Sequence, residues 1–213
     1  DPRLEFGHFK RLGQIVHSAL AQRLDRLVGV DLGARAGILG ANRSGNALMI
    51  PFFGGIHRVS ADAIMDPHGN PPPPAVGSLL LAYALRAPTT PPATGTWITF
   101  REFSGAGPLM GYFTGNTNKL IESNFAGAVG ALQTVCAGLG GRAIDSAPGF
   151  DLCVELSVLP RVPIRIRFND RDDDFPAQCT LLFRKSAETY LTLKSMAVAG
   201  TWLAGKLAAP IGR

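Results

Sequence analysis

Cysteine is scarce in this sequence, which holds three among its 213 residues. Cys136, Cys153 and Cys179 are odd in number and far apart, so they argue against a disulfide framework and provide no CxxC pair for a metal. This usage fits a reducing compartment. Cys136 also falls within an apolar helical stripe, which predicts a buried packing role rather than a reactive thiol.

The sequence also lacks a hydrophobic run that could span a bilayer. The longest apolar stretches, such as 76–85, are about ten residues long and contain Gly and Ser, whereas a spanning helix needs roughly 20. The amino end, 1–6, shows no hydrophobic region of a signal peptide. We therefore expect a cytoplasmic protein with no membrane partner.

The usual enzyme motifs are missing as well. The four histidines show no HxxxH or HExxH spacing, and the sequence has no GxSxG elbow, Walker phosphate loop or dinucleotide-binding GxGxxG fingerprint. The glycines at 138–141 follow a predicted helix rather than a strand, which is the wrong context for a dinucleotide site. Motifs alone therefore assign no catalytic residue.

Charged residues are few, and their balance is positive. A content of 46% hydrophobic and 17% charged residues is typical of a packed globular protein. The formal net charge of +5 allows attraction to a polyanion. Because the basic residues are spread along the chain without a dense Lys/Arg run, nucleic acid is not the expected partner.

Apolar residues at helical spacing predict four helices. The first covers 14–28, within a helical extension at 1–46, and the second covers 76–86. A long central helix is predicted at 117–139, where the following glycines end it, and a closing helix at 193–207.

Strands are predicted between these helices. The segments 47–53 and 56–60 flank Gly54-Gly55, which has the composition of a two-residue hairpin turn. Pro51 suggests an edge strand, because proline cannot donate a ladder hydrogen bond. Further strands are predicted at 96–102 and 178–183.

The register of a second hairpin follows from its side chains. With a turn at 159–161, four apolar pairs share one face, and Glu155 lies opposite Arg165 on the other. The expected apolar pairs are Leu152–Phe168, Val154–Ile166, Leu156–Ile164 and Val158–Val162. Together these elements predict one α+β domain with a mainly antiparallel sheet, a core at 47–213, a long central helix and flanking N- and C-terminal helices.

The most acidic segment is a candidate site for Ca²⁺ or Mg²⁺. It holds Asp170, Asp172, Asp173 and Asp174, and carboxylate oxygens are the ligands that these cations prefer. The segment is not an EF-hand, because it lacks the glycine at loop position six and has Leu181 at position twelve. The favoured alternative is a solvated turn whose carboxylates pair with Arg165, Arg167 and Arg171 and cap neighbouring backbone amides.

A second candidate site is built on arginine. Arg165 and Arg167 are two positions apart on a predicted strand, so they lie side by side and form a candidate clamp for a carboxylate or phosphate. Pairing of Arg165 with Glu155 is the alternative. The strand at 96–102 places Trp97 and Arg101 on one face, which adds an aromatic and a cation to the predicted ligand-binding set.

The segment 66–74 contains four consecutive prolines, which forbid a helix and impose an extended backbone. A stiff surface loop is the expected role. The alternative is a proline-rich ligand for the aromatic groove of a partner protein.

Six short motifs occur in one order along the chain: Leu81-Ala-Tyr-Ala-Leu-Arg-Ala87, Gly95-Thr-Trp-Ile-Thr-Phe-Arg-Glu102, Leu159-Pro-Arg-Val-Pro-Ile-Arg165, Asp172-Asp-Asp-Phe-Pro176, Leu181-Leu-Phe183 and Tyr190-Leu191. In this order they resemble the DUF3786 family, an uncharacterised family found mainly in anaerobic bacteria and archaea. The resemblance covers most of the chain from about Ala47 onward and implies a single domain.

The family has no established activity. Some members resemble electron-carrier or corrinoid-pathway accessory proteins, because they carry a cysteine-rich iron–sulfur segment at the amino end. This sequence has no cysteine before Cys136, so no iron–sulfur cluster of its own is expected. The resemblance therefore implies little about function, and it is the cluster of arginines and Trp97 that predicts an anionic small molecule or a tetrapyrrole-type cofactor as the ligand.

These features favour a small binding or accessory protein that recognises an anionic small molecule or cofactor in anaerobic metabolism. The first alternative is an enzyme that uses clustered carboxylates, Asp172, Asp173, Asp174 and Glu102, as acid/base groups or metal ligands. The second is an interaction subunit of a larger complex, which uses the proline loop to contact its protein partner.

Overall fold

The computed structural model describes residues 27–144 and 149–209, which form one α+β domain with two antiparallel sheets. The helices are α1 (Leu32–Leu39), α2 (Pro74–Leu85), α3 (Met110–Asn116), α4 (Asn118–Phe125), α5 (Val129–Gly138), α6 (Ala187–Tyr190) and α7 (Leu193–Ala208). The strands are β1 (Asn42–Ser44), β2 (Ala47–Phe52), β3 (Gly55–Ser60), β4 (Ile64–Met65), β5 (Trp97–Thr99), β6 (Arg142–Ala143), β7 (Leu152–Leu159), β8 (Val162–Asn169) and β9 (Gln178–Arg184). The helix predicted at 14–28 lies outside the described residues, apart from its last two positions.

The first sheet has four strands in the order β1-β2-β3-β4. The predicted hairpin is confirmed, but its turn is Phe53-Gly54 rather than Gly54-Gly55, because Gly55 already pairs with Phe52. Both turn residues have a positive φ, 49° and 77°, as a type I′ hairpin turn requires. β1 pairs with β2, so the segment predicted as an extension contributes a strand to this sheet.

Pro51 lies in β2, which has a neighbouring strand on each side. The edge-strand prediction is therefore wrong for β2 as a whole. β1 is only three residues long and pairs with residues 47–49 of β2, so it ends before it reaches Pro51. One side of Pro51 is an edge for this reason, and the short length of β1 makes the proline tolerable there.

The second sheet has five strands in the order β5-β9-β8-β7-β6. Three of the four predicted apolar pairs are confirmed, and Glu155 lies opposite Arg165 as predicted. The fourth pair is wrong, because an irregularity shifts the register between Ser157 and Leu159, so that Val162 pairs with Leu159. The carbonyl of Val158, within this bulge, accepts a hydrogen bond of 3.2 Å from the N–H of Phe53 and thereby joins the two sheets.

The strand predicted at 96–102 is shorter than expected. β5 ends at Thr99, and a 3₁₀ turn occupies Phe100–Glu102. The turn is stabilised by a capping box in which Glu102 Oε2 accepts hydrogen bonds from Thr99 N–H at 2.7 Å and Thr99 Oγ1 at 2.8 Å. Arg101 therefore leaves the strand and does not share a strand face with Trp97, which corrects that prediction.

The single helix predicted over 117–139 is two helices, α4 and α5. The break falls between Phe125 and Val129, where Gly127 has a φ of 78°. A left-handed residue cannot continue an α-helix, so the apolar stripe runs across two helices rather than one.

The helices cover one face of the five-stranded sheet. α4 packs against β9 and α5 against β7, and the closing helix α7, confirmed close to its predicted bounds, packs against α2, α3, α4 and α5. The core between them is apolar and buried. In 27–144 and 149–209, none of the helices combines the length and apolar character needed to cross a membrane.

The proline loop is held at its start by Asp66, whose Oδ1 accepts hydrogen bonds from the N–H groups of His68 at 2.9 Å and Asn70 at 2.8 Å. Pro74 is the first residue of α2, a position where its missing N–H costs nothing. The segment is mostly exposed, as expected for a stiff surface loop.

Candidate functional site

The face of the five-stranded sheet that points away from the helices carries most of the charged side chains of its strands. Successive side chains in a strand alternate between faces, and directly paired residues share one. We define the outer face by Trp97, Cys153, Glu155, Arg165, Arg167, Thr180, Leu182 and Arg184, together with Arg142, which pairs with Glu155. The residues that alternate with them along the strands, such as Val154 and Ile166, lie on the inner face and are buried against the helices.

Trp97 lies beneath two guanidinium groups of the outer face. The Cζ atom of Arg184 is 4.2 Å from the centroid of the indole, and that of Arg165 is 4.3 Å away. Arg184 is the direct pairing partner of Trp97. Leu182, between these side chains in the register, is 4% exposed, so the aromatic and cationic groups cover an apolar base.

One carboxylate balances only part of this positive charge. Glu155 Oε2 is 3.0 Å from Arg165 Nη2, and Glu155 Oε1 is 3.6 Å from Arg142 Nη2. The Cζ atom of Arg167 lies 4.9 Å from the centroid of the Phe150 ring. Among the described residues that define the outer face, four arginines therefore face a single acidic side chain.

Three donors on this face are buried without an acceptor. The Nε atoms of Arg165 and Arg167 and the Nε1 atom of Trp97 have no hydrogen-bond partner within the described parts of the chain. A buried donor without an acceptor costs roughly 1–3 kcal/mol, and native proteins contain few of them. The three groups lie on β5 and β8, the strands on either side of β9, so this face has several donors that no described residue satisfies.

Arg101 is separate from this cluster. It is exposed and lines a cavity at the edge of β9, together with Thr180, which pairs with Arg167. The structure thus places Arg165, Arg167 and Trp97 on one face, with Arg165 against Trp97, and leaves Arg101 beyond the edge of that face.

Arg184 and Arg142 were missed by the sequence analysis. Arg184 follows Thr180 and Leu182 at a spacing of two, which could have placed all three on one face. Its position beside Trp97 depends on the pairing of β5 with β9, which lie far apart in the sequence.

The acidic segment has a structural task. Asp170 Oδ1 accepts a hydrogen bond from Gly127 N–H, and its Oδ2 accepts one of 3.3 Å from Val129, the first residue of α5. Asp172 Oδ1 accepts hydrogen bonds from Asp174 N–H at 2.9 Å and from Phe175 N–H at 2.7 Å. The predicted capping of backbone amides is therefore present at both aspartates. The predicted pairing with arginines is wrong for the described residues, because none of the four aspartates forms an ion pair with another of them.

The described residues contain no group of three His, Cys, Asp or Glu side chains arranged to hold a metal ion. Asp170 points to the start of α5, whereas Asp172 closes its own turn. Glu102 is engaged in the capping box with Thr99, whose hydrogen bonds hold the pKa of that carboxyl below its usual value. Asp170, Asp172 and Glu102, which the sequence suggested as parts of a cluster, thus serve three different local structures.

Replacing Asp170 with alanine should destabilise the domain by about 1–2 kcal/mol, the usual cost of losing a helix cap. The Gly127 N–H, helped by those of Arg171 and Val129, holds the pKa of the Asp170 carboxyl below its unfolded value of 3.8. The stabilisation is therefore complete above that value and is lost as the pH falls through the lowered pKa. Urea denaturation near pH 7 measures the difference.

Asp173→Ala is the matched control. Asp173 is an exposed neighbour, so this substitution removes the same charge without removing a cap. Its stability should stay within about 0.5 kcal/mol of the parent protein. Equal losses of stability in the two variants would show that the charge of the loop, rather than the capping of α5, stabilises the domain.

Two of the buried cysteines, Cys136 and Cys179, carry raised pKa values. Burial raises the pKa of Cys136 to about 12, and it also raises that of Cys179. Both groups remain protonated thiols at neutral pH. Cys136 is 0% exposed, which confirms its predicted packing role.

One family model, described as "Domain of unknown function (DUF3786)", matches residues 31–206 of the chain. The match spans both sheets and all seven helices described above, α7 up to residue 206. No curated protein and no solved structure matches the chain.

Proposed function

We propose that this chain, which belongs to the DUF3786 family, binds an anionic small molecule or cofactor on the outer face of its five-stranded sheet. The observation that carries the proposal is the set of buried donors without acceptors on Arg165, Arg167 and Trp97. An anion that accepts these hydrogen bonds would remove the cost of leaving them unmade.

The two central arginines suit an anion with two or more oxygen atoms. Arg165 and Arg167 are two positions apart on β8, so their side chains leave the sheet roughly 7 Å apart on the same face. Each guanidinium can bind a carboxylate or phosphate through two parallel hydrogen bonds. A ligand with two acidic groups can therefore engage both arginines at once.

The existing ion pairs leave Arg165 and Arg167 with unused capacity to bind an anion. Arg165 shares Glu155 with Arg142, whereas Arg167 contacts the Phe150 ring and forms no ion pair with another described residue. Trp97 and Phe150 add apolar surface at two ends of the arginine pair. A tetrapyrrole-type cofactor meets the same requirements, because it carries carboxylates on an apolar ring system, and this fits a role in anaerobic metabolism.

Trp97 provides a direct optical test. The chain has two tryptophans, Trp97 and Trp202, so a Trp202→Phe variant leaves Trp97 as the only one. Titration with pyrophosphate and with citrate should change the Trp97 emission in a saturable way, because the bound anion draws on the arginines that contact the indole. Adding Arg165→Met and Arg167→Met should weaken the binding at least tenfold, since hydrogen bonds to charged groups contribute about 1.5–3 kcal/mol each.

The matched control replaces Arg43 and Arg58 with methionine. Both lie on strands of the other sheet, so this double variant has the same change in net charge at a different place. Its affinity for the two anions should match that of the Trp202→Phe protein. Absence of saturable binding, or an equal loss in the two double variants, would reject the outer face as an anion site.

A further inference from the structure

A cavity of about 260 Å³ lies where β5 leaves the edge of β9. The two strands pair from Trp97 with Arg184 to Thr99 with Leu182, and the chain then turns into the 3₁₀ segment at Phe100. β5 therefore does not cover the next residues of β9 on that side. The residues that line the opening come from the end of β5, the 3₁₀ turn, α3, the start of α4 and β9.

The floor of the cavity is apolar. The rings of Phe100 and Phe113 are stacked with centroids 4.1 Å apart, and both residues are buried. Met110 and Leu181 complete this surface. An apolar group placed here would gain about 25 cal/mol for each Å² of surface removed from water.

The rim is polar and carries one cation. Thr114, Thr180 and Asn118 provide hydroxyl and amide groups, and Arg101 is the only charged residue among the described residues that line the cavity. The neighbouring carboxylate of Glu102 is directed to the N–H and hydroxyl of Thr99 instead. Arg101 makes no ion pair with any residue in 27–144 or 149–209.

We infer that this cavity binds a small monocarboxylic acid whose carboxylate contacts Arg101 and whose aromatic or branched apolar group lies on Phe100 and Phe113. Its volume is below the roughly 300 Å³ at which sites for drug-sized ligands begin, so the ligand is small. A single guanidinium matches one carboxylate, and the apolar floor selects against fully hydrophilic acids. This inference does not rest on anion binding at the outer face.

Isothermal titration calorimetry with phenylacetate tests the inference. Phenylacetate should bind saturably, because it presents one carboxylate and one apolar ring. Phenylacetamide has nearly the same shape without the charge, and acetate has the charge without the ring. Each should bind at least about tenfold more weakly than phenylacetate, since each lacks one of the two contacts.

Arg101→Met identifies the cation. Arg101 is exposed in a 3₁₀ turn, so the domain should keep its fold, which circular dichroism checks. The affinity for phenylacetate should fall at least about tenfold, while that for phenylacetamide should stay unchanged. Thr180→Val, which removes a rim hydroxyl at constant shape, should lower the affinity for phenylacetate a few-fold.

The Arg165→Met/Arg167→Met variant separates this cavity from the outer face. It should bind phenylacetate as tightly as the parent protein does, whatever its behaviour toward pyrophosphate. Equal binding of phenylacetate and phenylacetamide, no effect of Arg101→Met, or loss of phenylacetate binding in the β8 double variant would each overturn the inference.

Discussion

Tyr83→Phe should destabilise the fold by about 3 kcal/mol, although it removes a single oxygen atom. The hydroxyl of Tyr83 donates a hydrogen bond of 2.6 Å to the carbonyl of Leu39 and accepts one of 3.2 Å from the N–H of Arg161. Leu39 is the last residue of α1, and Arg161 lies in the turn between β7 and β8. One buried oxygen therefore joins α2, α1 and the five-stranded sheet.

The expected loss of stability comes from the backbone groups that no longer have the Tyr83 hydroxyl as a hydrogen-bond partner. The last carbonyls of a helix have no partner within the helix, so Leu39 depends on Tyr83 for its hydrogen bond. A buried polar group that loses its partner costs about 1–3 kcal/mol, and this substitution leaves the buried Leu39 carbonyl without one. It also removes the hydrogen bond of the partly buried N–H of Arg161. Burial raises the pKa of Tyr83, so the hydroxyl stays protonated and able to donate at neutral pH.

Tyr190→Phe is the control for this prediction. The two rings are neighbours, with centroids 5.9 Å apart, and both residues are buried. The Tyr190 hydroxyl joins no other described residue by a hydrogen bond, so its loss should change the free energy of unfolding by less than about 1 kcal/mol. Guanidinium chloride denaturation of both variants measures the contrast, and similar losses at the two positions would contradict the proposed role of Tyr83.

Local sequence patterns predicted the parts of the fold in which the contacting residues lie near one another in the sequence. The β7–β8 hairpin is joined by a tight turn, and a slip of one residue would expose its apolar face, so Glu155 and Arg165 could be paired from the sequence. The bulge near Val158 could not be predicted, because it depends on a hydrogen bond from Phe53, in the hairpin turn between β2 and β3. Such irregularities in register depend on contacts with residues that are distant in the sequence.

The break between α4 and α5 could not be predicted for the same reason, because it depends on a residue that is distant in the sequence. Asp170, whose carboxylate fixes this break, is 43 residues from Gly127 in the sequence. No local pattern links the two, and the apolar stripe continues across the interruption. The early end of β5 is different, because Thr99 and Glu102 have the spacing of a capping box, a local pattern that favours a helical turn over a strand.

The candidate site was predicted in the same uneven way. Arg165 and Arg167 belong to one strand, so their common face follows from the sequence alone. Trp97 belongs beside them only because β9 is inserted between β5 and β8, which is a matter of sheet topology. That topology also adds Arg184 to the outer face and leaves Arg101 beside the cavity.

Gly200→Ala should destabilise the domain by about 2 kcal/mol, against the usual preference of helices for alanine. A Cβ atom on Gly200 would lie 2.7 Å from Cε2 of Phe113 and 3.3 Å from Cγ2 of Thr117. Phe113 cannot move away easily, because its ring is stacked on Phe100. Glycine is therefore required here for close packing of α7 against α3.

Gly205→Ala tests the same change on the same helix without the contact. A Cβ atom at Gly205 would meet nothing within 4 Å, so alanine should stabilise the domain by about 0.5–1 kcal/mol through its higher helix propensity. Thermal denaturation of both variants should thus show shifts of opposite sign. Because Phe113 also forms the floor of the cavity at β9, Gly200→Ala should weaken phenylacetate binding as well, whereas Gly205→Ala should leave it unchanged. Stabilisation by both substitutions would mean that Phe113 adjusts freely, and the cavity floor would then not be rigid.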